Sequence, residues 1–290
     1  MLKSQRRIGY LLIAPALTVV VLLSIYPILY QFWLSLTDWY ILRNPEPVFQ
    51  GLKGYQRFFQ DPMVWSSLGR TAIWTIGTVL IEFAVGLPLA LLLNRRTRLN
   101  AVLSGLILLP WVTPSIVVAY AWRWLLDGQY GTVHYLLHTV GLVGERSLLG
   151  NPSIALYVVT VISAWKGIPF MAVALLAALK TIPFDLYEAA AVDGASAWQR
   201  FLHVTLPLLR NTAVVISLLL GILAFYSFDL VWIITDKGGP LNATTLIGVY
   251  LFRSFFERKD FSYAAVIGMM MLLILIVTSA VYLRALRRAD

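Results

Sequence analysis

Residues Thr181 to Arg210 read TIPFDLYEAAAVDGASAWQRFLHVTLPLLR, a polar and well-punctuated stretch between two long apolar runs. Pro183 suits the first turn of a helix, where its missing N–H costs nothing. Asp185 and Glu188 put negative charge near that helix's positive end. Ala189, Ala190 and Ala191 are the strongest helix formers. Gly194 is a natural stop. Ser196, with Gln199 three residues on, is a capping-box start for a second helix. Pro207 follows at the start of the next apolar run. The stretch predicts helix, turn, helix, held close to a membrane face.

The rest of the chain supplies the membrane. Of its 290 residues, 59% are hydrophobic and 13% charged, with a mean hydropathy of +0.78. Soluble domains carry about 25% charged residues, so composition points to an integral membrane protein. There is no cysteine, which excludes disulfides, thiolate catalysis and thiolate metal sites. A formal charge of +9 would suggest nucleic acid for a soluble protein. Here positive-inside topology and anionic lipid headgroups explain it better, and no nucleic-acid partner is expected. No cleavable signal is expected either, since the first apolar run is too long for one and ends in Tyr26-Pro27.

Apolar runs at about 8–32, 68–93, 101–125, 154–179, 208–235 and 263–283 are each long enough to cross a ~30 Å hydrocarbon core. They predict an all-α polytopic protein with six transmembrane helices, one domain over 1–290, and no internal repeat. One face gathers Lys3, Arg6, Arg7, Arg95, Arg96, Arg98, Lys180, Arg200, Arg210, Arg284, Arg287 and Arg288, mostly in short dense segments. On the other, Arg43, Lys53, Arg57, Arg70, Arg146, Lys237, Arg253, Arg258 and Lys259 are spread over longer loops among most of the acids. Both termini and the 181–210 stretch are therefore expected on the cytoplasmic side. The outer loops carry turn punctuation: Pro45, Pro47, Gly51, Gly54 and Pro62 in the first, and Gly238-Gly239-Pro240 in the last. Within the first, YQRFF and the later MVW suggest a short interfacial helix.

The spacing of the opening stretch is specific. Glu188, Ala189 and Ala190 are followed after three residues by Gly194, and nine residues later by Val204-Thr205-Leu206-Pro207. This resembles the "EAA" loop of binding-protein-dependent ABC importer permeases, with Val in place of Ile. Further stretches resemble the sugar branch of that family: SIYP near the N-terminus, SLTDW at 35–39, GLKGYQRFF at 51–59, DPMVW at 61–65, NPSIALYVV from Asn151, and TDKGGPLNATT at 235–245. The opening run and the GGP loop are most similar to the first permease of maltose-, trehalose- and glycerol-3-phosphate-type importers.

The resemblance implies a MetI-like permease fold in a bacterial or archaeal inner membrane. It implies a second, homologous permease, two ATPase subunits that bind ATP and magnesium, and an extracytoplasmic substrate-binding protein. This chain would hold no cofactor of its own. The 181–207 loop would dock into the ATPase, with Glu188, Ala189, Ala190, Asp193, Gly194, Trp198 and Pro207 as the coupling residues. Glu188 and Asp193 are available to pair with basic groups there, and Tyr187, Trp198 and Phe201 to anchor it. The competing reading is an interfacial amphipathic hairpin with no partner.

Charges inside spans are costly and often functional. Glu82 and Lys166 fall at similar depth and are expected to be able to pair. Arg123 lies close enough to an edge to snorkel. In the family the span before the GGP loop lines the path, which makes Tyr226, Asp229 and Trp232 candidates for contact with a sugar. Trp165, beside the Gly167–Pro169 break, is another. Packing of aromatics between spans is the plainer reading of each. His134 and His138 have the i, i+4 spacing of metal ligands, but no third ligand is evident and no metal is expected. His203 reads as a surface residue.

The chain lacks G-x-x-x-x-G-K-[ST] and so has no P-loop for ATP. It is expected to be a transporter subunit and not an enzyme. A self-contained secondary transporter is the alternative, but coupling carboxylates are scarce and no inverted repeat is seen. A membrane-embedded transferase would need clustered Asp or His, and the acids are scattered.

Overall fold

The computed structural model describes residues 12–94, 100–144 and 147–287. Lys3, Arg6, Arg7, Arg95, Arg96, Arg98, Arg146 and Arg288, on which the charge asymmetry leans, lie outside them, as do residues 8–11 of the first apolar run. Helices dominate: α1 (Leu12–Ser35), α2 (Lys53–Gln60), α3 (Pro62–Leu93), α4 (Asn100–Ile107), α5 (Leu109–Val112), α6 (Ser115–Leu125) and α7 (Thr132–Thr139). Then come α8 (Ala155–Leu179), α9 (Phe184–Val192), α10 (Ala197–Arg200), α11 (Leu206–Tyr226), α12 (Asp229–Ile234), α13 (Ile247–Phe252) and α14 (Phe261–Arg287). A two-residue antiparallel ladder pairs β1 (Thr37–Asp38) with β2 (Val48–Phe49).

Five helices are long and apolar enough to cross a membrane, and a sixth crossing results if the bent pair Leu103–Val112 and Ser115–Leu125 is one span. Two of the expected continuous helices are broken. The third run bends by 88° between those halves. Pro114 has no N–H to give, and its ring pushes the residue before it out of the α region; Thr113 accordingly has ψ 129°. The fifth run stops at Tyr226 and restarts at Asp229, with Ser227 extended at ψ 129°. The second span begins at Pro62, so Met63, Val64 and Trp65 form its first turn and do not belong to the short loop helix, which is α2.

By contacts the chain divides into two compact units: residues 1–64 with 250–274, and 65–249 with 275–290. In the first, the loop after α1 folds onto the start of α14. The Ser262 hydroxyl accepts from the Trp39 amide at 2.8 Å and lies 2.9 Å from Thr37 Oγ1. Asp61 accepts from the Tyr250 and Tyr263 hydroxyls, each at 2.6 Å, and from the Met63 amide at 2.8 Å. Burial alone would raise the Asp61 pKa; those donors outweigh it and hold the carboxyl below its ordinary value. Arg57 donates to Asp260 at 2.7 Å and lies 3.9 Å above the Tyr263 ring. Asp260 in turn accepts from the Tyr263 amide and caps α14.

The second unit has two apolar clusters. One centres on Trp74 and Val159, with α6 packed along α12. The other joins Leu87 and Ala90 of α3, Met171 and Leu175 of α8, and Leu209 and Leu220 of α11. Gly86 makes that close approach possible, because a Cβ there would lie 2.7 Å from Met171 Cγ. Both clusters are the faces that these helices turn away from lipid.

Candidate functional site

The 181–210 stretch forms the hairpin that its punctuation predicts. Helix α9 begins at Phe184, with Pro183 at the N-cap and not inside the first turn; ψ of 131° there sets the chain's approach. Gly194 sits at φ +82°, a left-handed conformation that costs a residue with a Cβ. Around it the Ala195 amide donates to the Ala190 carbonyl at 2.9 Å and the Gly194 amide to Ala191 at 3.1 Å. That double closure satisfies the last carbonyls of α9. Two residues later the capping box is complete: the Ser196 amide donates to Gln199 Oε1 at 2.8 Å, and the Gln199 amide to Ser196 Oγ at 3.3 Å. The turn is rigid because both of its helix ends are satisfied.

Past α10 the chain widens into a π turn over Phe201–Thr205 and runs straight into α11. Pro207 explains the widening: it cannot donate backward, and its ring would clash with a carbonyl one α turn earlier. A brace ties the hairpin to this base, with Tyr187 Oη 3.1 Å from Thr205 Oγ1. The Tyr187 hydroxyl is therefore turned inward, and its ring stays partly exposed. Trp198 is 66% exposed and stacks on Phe201 at 5.3 Å.

The hairpin's outer surface is open and partly apolar. Val192 is 87% exposed, and Phe184 and Leu186 are exposed beside it; the sequence reading singled out none of the three. Glu188 and Asp193 are exposed and make no ion pair among the described residues. A shallow cavity of about 270 Å³ opens between Ala190, Asp193, Gly194, Gln199, Arg200 and His203. His203 lies at its edge, with Nδ1 2.9 Å from the Gln199 carbonyl.

The broken helices form the second candidate region. Breaking a helix inside a membrane bares carbonyls that nothing in lipid can satisfy, and side chains from other helices meet them. Lys166 Nζ donates to the Trp111 carbonyl at the end of α5, at 3.3 Å. The Trp74 indole N–H donates to the Ala224 carbonyl in the last turn of α11, at 3.1 Å. Arg123 donates to the Ile233 carbonyl at 3.1 Å, at the end of α12, with its side chain still 45% exposed.

Glu82 and Lys166 do not pair. Gly167, the residue after Lys166, faces Glu82, so a Cβ there would lie 1.8 Å from Glu82 Oε1. Successive helix residues point about 100° apart, and Lys166 points to α5 instead. Its charge is close enough to Asp229 for the two to interact. Of the other path candidates, Trp165 is 40% exposed and meets Trp122 edge-on at 5.5 Å. Tyr226 is 49% exposed at the break, Asp229 opens α12, and Trp232 packs against the Trp74 cluster. Trp111, stacked on Phe170 at 5.0 Å, is an aromatic at the other break that the sequence did not single out. His134 and His138 lie on α7 with ring centroids 6.4 Å apart. Among the described residues no three His, Cys, Asp or Glu side chains gather into a metal-binding group.

Comparison with known proteins places this geometry. Residues 82–289 match the family described as "Binding-protein-dependent transport system inner membrane component". The trehalose/maltose transport system permease protein MalF of Thermococcus litoralis is 36% identical, over 97% of this chain and 94% of that protein. The sulfoquinovosyl glycerol transport system permease protein SmoG of Agrobacterium fabrum is 32% identical, over 99% and 92%. A chain in the crystal structure of a bacterial ABC transporter importing the acidic polysaccharide alginate superposes with a TM-score of 0.83. It is 21% identical, with 98% of this chain and 96% of that one covered.

Proposed function

The chain belongs to the family of inner membrane components of binding-protein-dependent transport systems, and on that premise we propose that it passes a carbohydrate across the membrane under the drive of separate ATPase subunits. It is a multi-pass permease subunit of an ABC importer. The observation that carries the proposal is the hairpin. It is stiffened at both helix ends, braced through Tyr187, and presents Leu186, Val192 and Trp198 on a surface that is exposed among the described residues. Exposed apolar side chains set among carboxylates mark a protein interface.

In the mechanism proposed here the ATPase holds that surface on the cytoplasmic side, with both chain termini on the same side. Glu188 and Asp193 meet its basic groups, and ATP and magnesium reside in that partner alone. Closure of the ATPase pair pushes α9 as a rigid body, and α8 and α11, which flank the hairpin, carry the displacement inward. A second permease completes the pathway, and an extracytoplasmic binding protein delivers the solute.

The sugar would pass beside the two breaks. There Asp229 accepts from hydroxyl groups, and Trp165 and Tyr226 offer ring faces to the apolar side of a pyranose. The carbohydrate reading draws on the relatives' named substrates and on these side chains. Co-expression with the ATPase and second permease tests the assembly. The Trp198→Asp and Val192→Asp proteins are expected to insert in the membrane but to lose the ATPase on purification. Full retention of the ATPase by both would contradict the proposal.

A further inference from the structure

One face of α3 carries a row of polar side chains into the membrane: Ser67, Thr71, Thr75, Thr78 and Glu82, at steps of four, four, three and four. Those spacings keep them on one side of the helix. It is the buried side, for Ser67, Thr71, Thr78 and Glu82 are all 4% exposed or less. Thr71 is satisfied, donating to the Ser67 carbonyl and accepting from the Ile247 amide. The hydroxyls of Ser67, Thr75 and Thr78 and Oε2 of Glu82 have no hydrogen-bond partner among the described residues. Beyond Glu82 the same face turns apolar at Gly86 and Ala90.

Glu82 ends the row against the turn of α8 that Pro169 interrupts. Pro169 supplies no N–H, so the Trp165 carbonyl, four residues earlier, loses its helical donor. Gly167 lies inside that turn and leaves room for the carboxyl group. The charged groups on the surrounding elements are committed elsewhere. Lys166 reaches the Trp111 carbonyl, Arg70 reaches toward Ser66 and the Thr245 carbonyl, and Arg210 is exposed in a cavity beside Val79, Leu80 and Phe83 of α3. A carboxylate buried there has no ion-pair partner among the described residues, and burying an unpaired charge is costly. A carboxylic acid has the O–H that this turn lacks.

We propose that Glu82 is a proton-binding site, with the Ser67, Thr75 and Thr78 hydroxyls and the waters they hold as its path to the Pro62 end of α3. With α3 and α8 packed at Gly167, Glu82 is the neutral acid. When the helices part there, water reaches it, the O–H bond breaks, the electron pair stays on the carboxylate and water takes the proton. Acid then favours the packed arrangement and alkali the parted one, which makes the opening of this subunit pH-linked.

Infrared spectroscopy of the assembled importer in nanodiscs tests this. The wild type at neutral pH is expected to show a protonated-carboxyl C=O band that shifts in D2O and is lost in Glu82→Gln. Uptake by Glu82→Gln, which mimics the bound proton, is expected to lose the wild-type pH dependence. Should Glu82→Gln fail to assemble, Glu82→Asp keeps an acid and is expected to move the band without removing it. Absence of a protonated-carboxyl band from the wild type overturns the proposal. So does a band unaltered in either variant, or an unchanged pH profile in Glu82→Gln.

Discussion

The indole N–H of Trp74 donates to the main-chain carbonyl of Ala224 at 3.1 Å, and Trp74 is fully buried. A tryptophan on one membrane helix thereby gives a second donor to a carbonyl at the break of another, where the Ser227 amide supplies the first. Replacing it with phenylalanine keeps most of the ring and removes only the donor. The Ser227 amide still donates to that carbonyl at 3.1 Å, so Trp74→Phe is expected to cost about 0.5–1.5 kcal/mol, the net contribution of one hydrogen bond. It should lower the melting midpoint in detergent and increase labelling of a cysteine placed at Ser227.

Lys166 plays the corresponding part at the other break through the Trp111 carbonyl. Lys166→Met keeps the stem and removes the donor and its charge. Uptake is expected to fall several-fold while the protein still inserts and assembles. Restoration by Lys166→Arg would support a donor role, since the guanidinium reaches the same carbonyl with N–H groups. Unaltered uptake by the methionine variant would remove it.

Gly194 at φ +82° gives the hairpin its turn. A side chain in that conformation costs about 1 kcal/mol or more, and no atom lies within 4 Å of where a Cβ would be. Gly194→Ala is therefore expected to strain the turn without a clash. Membrane insertion should stay normal, and uptake per ATP hydrolysed should drop.

Much of this was legible in the sequence, and the parts that were not share a cause. The hairpin is a local structure. Its glycine turn and capping box depend on residues within six positions of one another, so Gly194, Ser196 and Gln199 announce it. Pro114 announces the bend of the third span in the same local way, although a long apolar run masks it. The break at Ser227 has no such signal. No proline stands between Ala224 and Asp229; Trp74, some 150 residues away, supplies the donor. The pairing of Glu82 with Lys166 failed for a geometric reason: equal depth does not mean facing sides, and one residue's rotation puts Gly167 where Lys166 was expected.

Asp61 sets an acid limit on the outer loop. Its carboxylate accepts from Tyr250, Tyr263 and the Met63 amide, and its pKa is lowered on folding. A lowered value means that the stabilisation is fully present above the ordinary carboxylate range and is lost as pH falls through the folded value. Melting midpoints are expected to be flat near neutrality and to drop below about pH 4. Asp61→Asn should abolish that part of the acid dependence and cost about 2 kcal/mol at neutral pH through its two charge-assisted hydrogen bonds.

The 181–207 hairpin is the proposed attachment point of the ATPase. The chain contains no cysteine, so single cysteines introduced at Val192 and at Leu142, which is also well exposed, report without background. In membranes containing the assembled importer, a short bifunctional reagent should join residue 192 to the ATPase subunit and leave residue 142 unjoined. An ATPase that co-purifies with the complex yet cross-links no better from 192 than from 142 would contradict it.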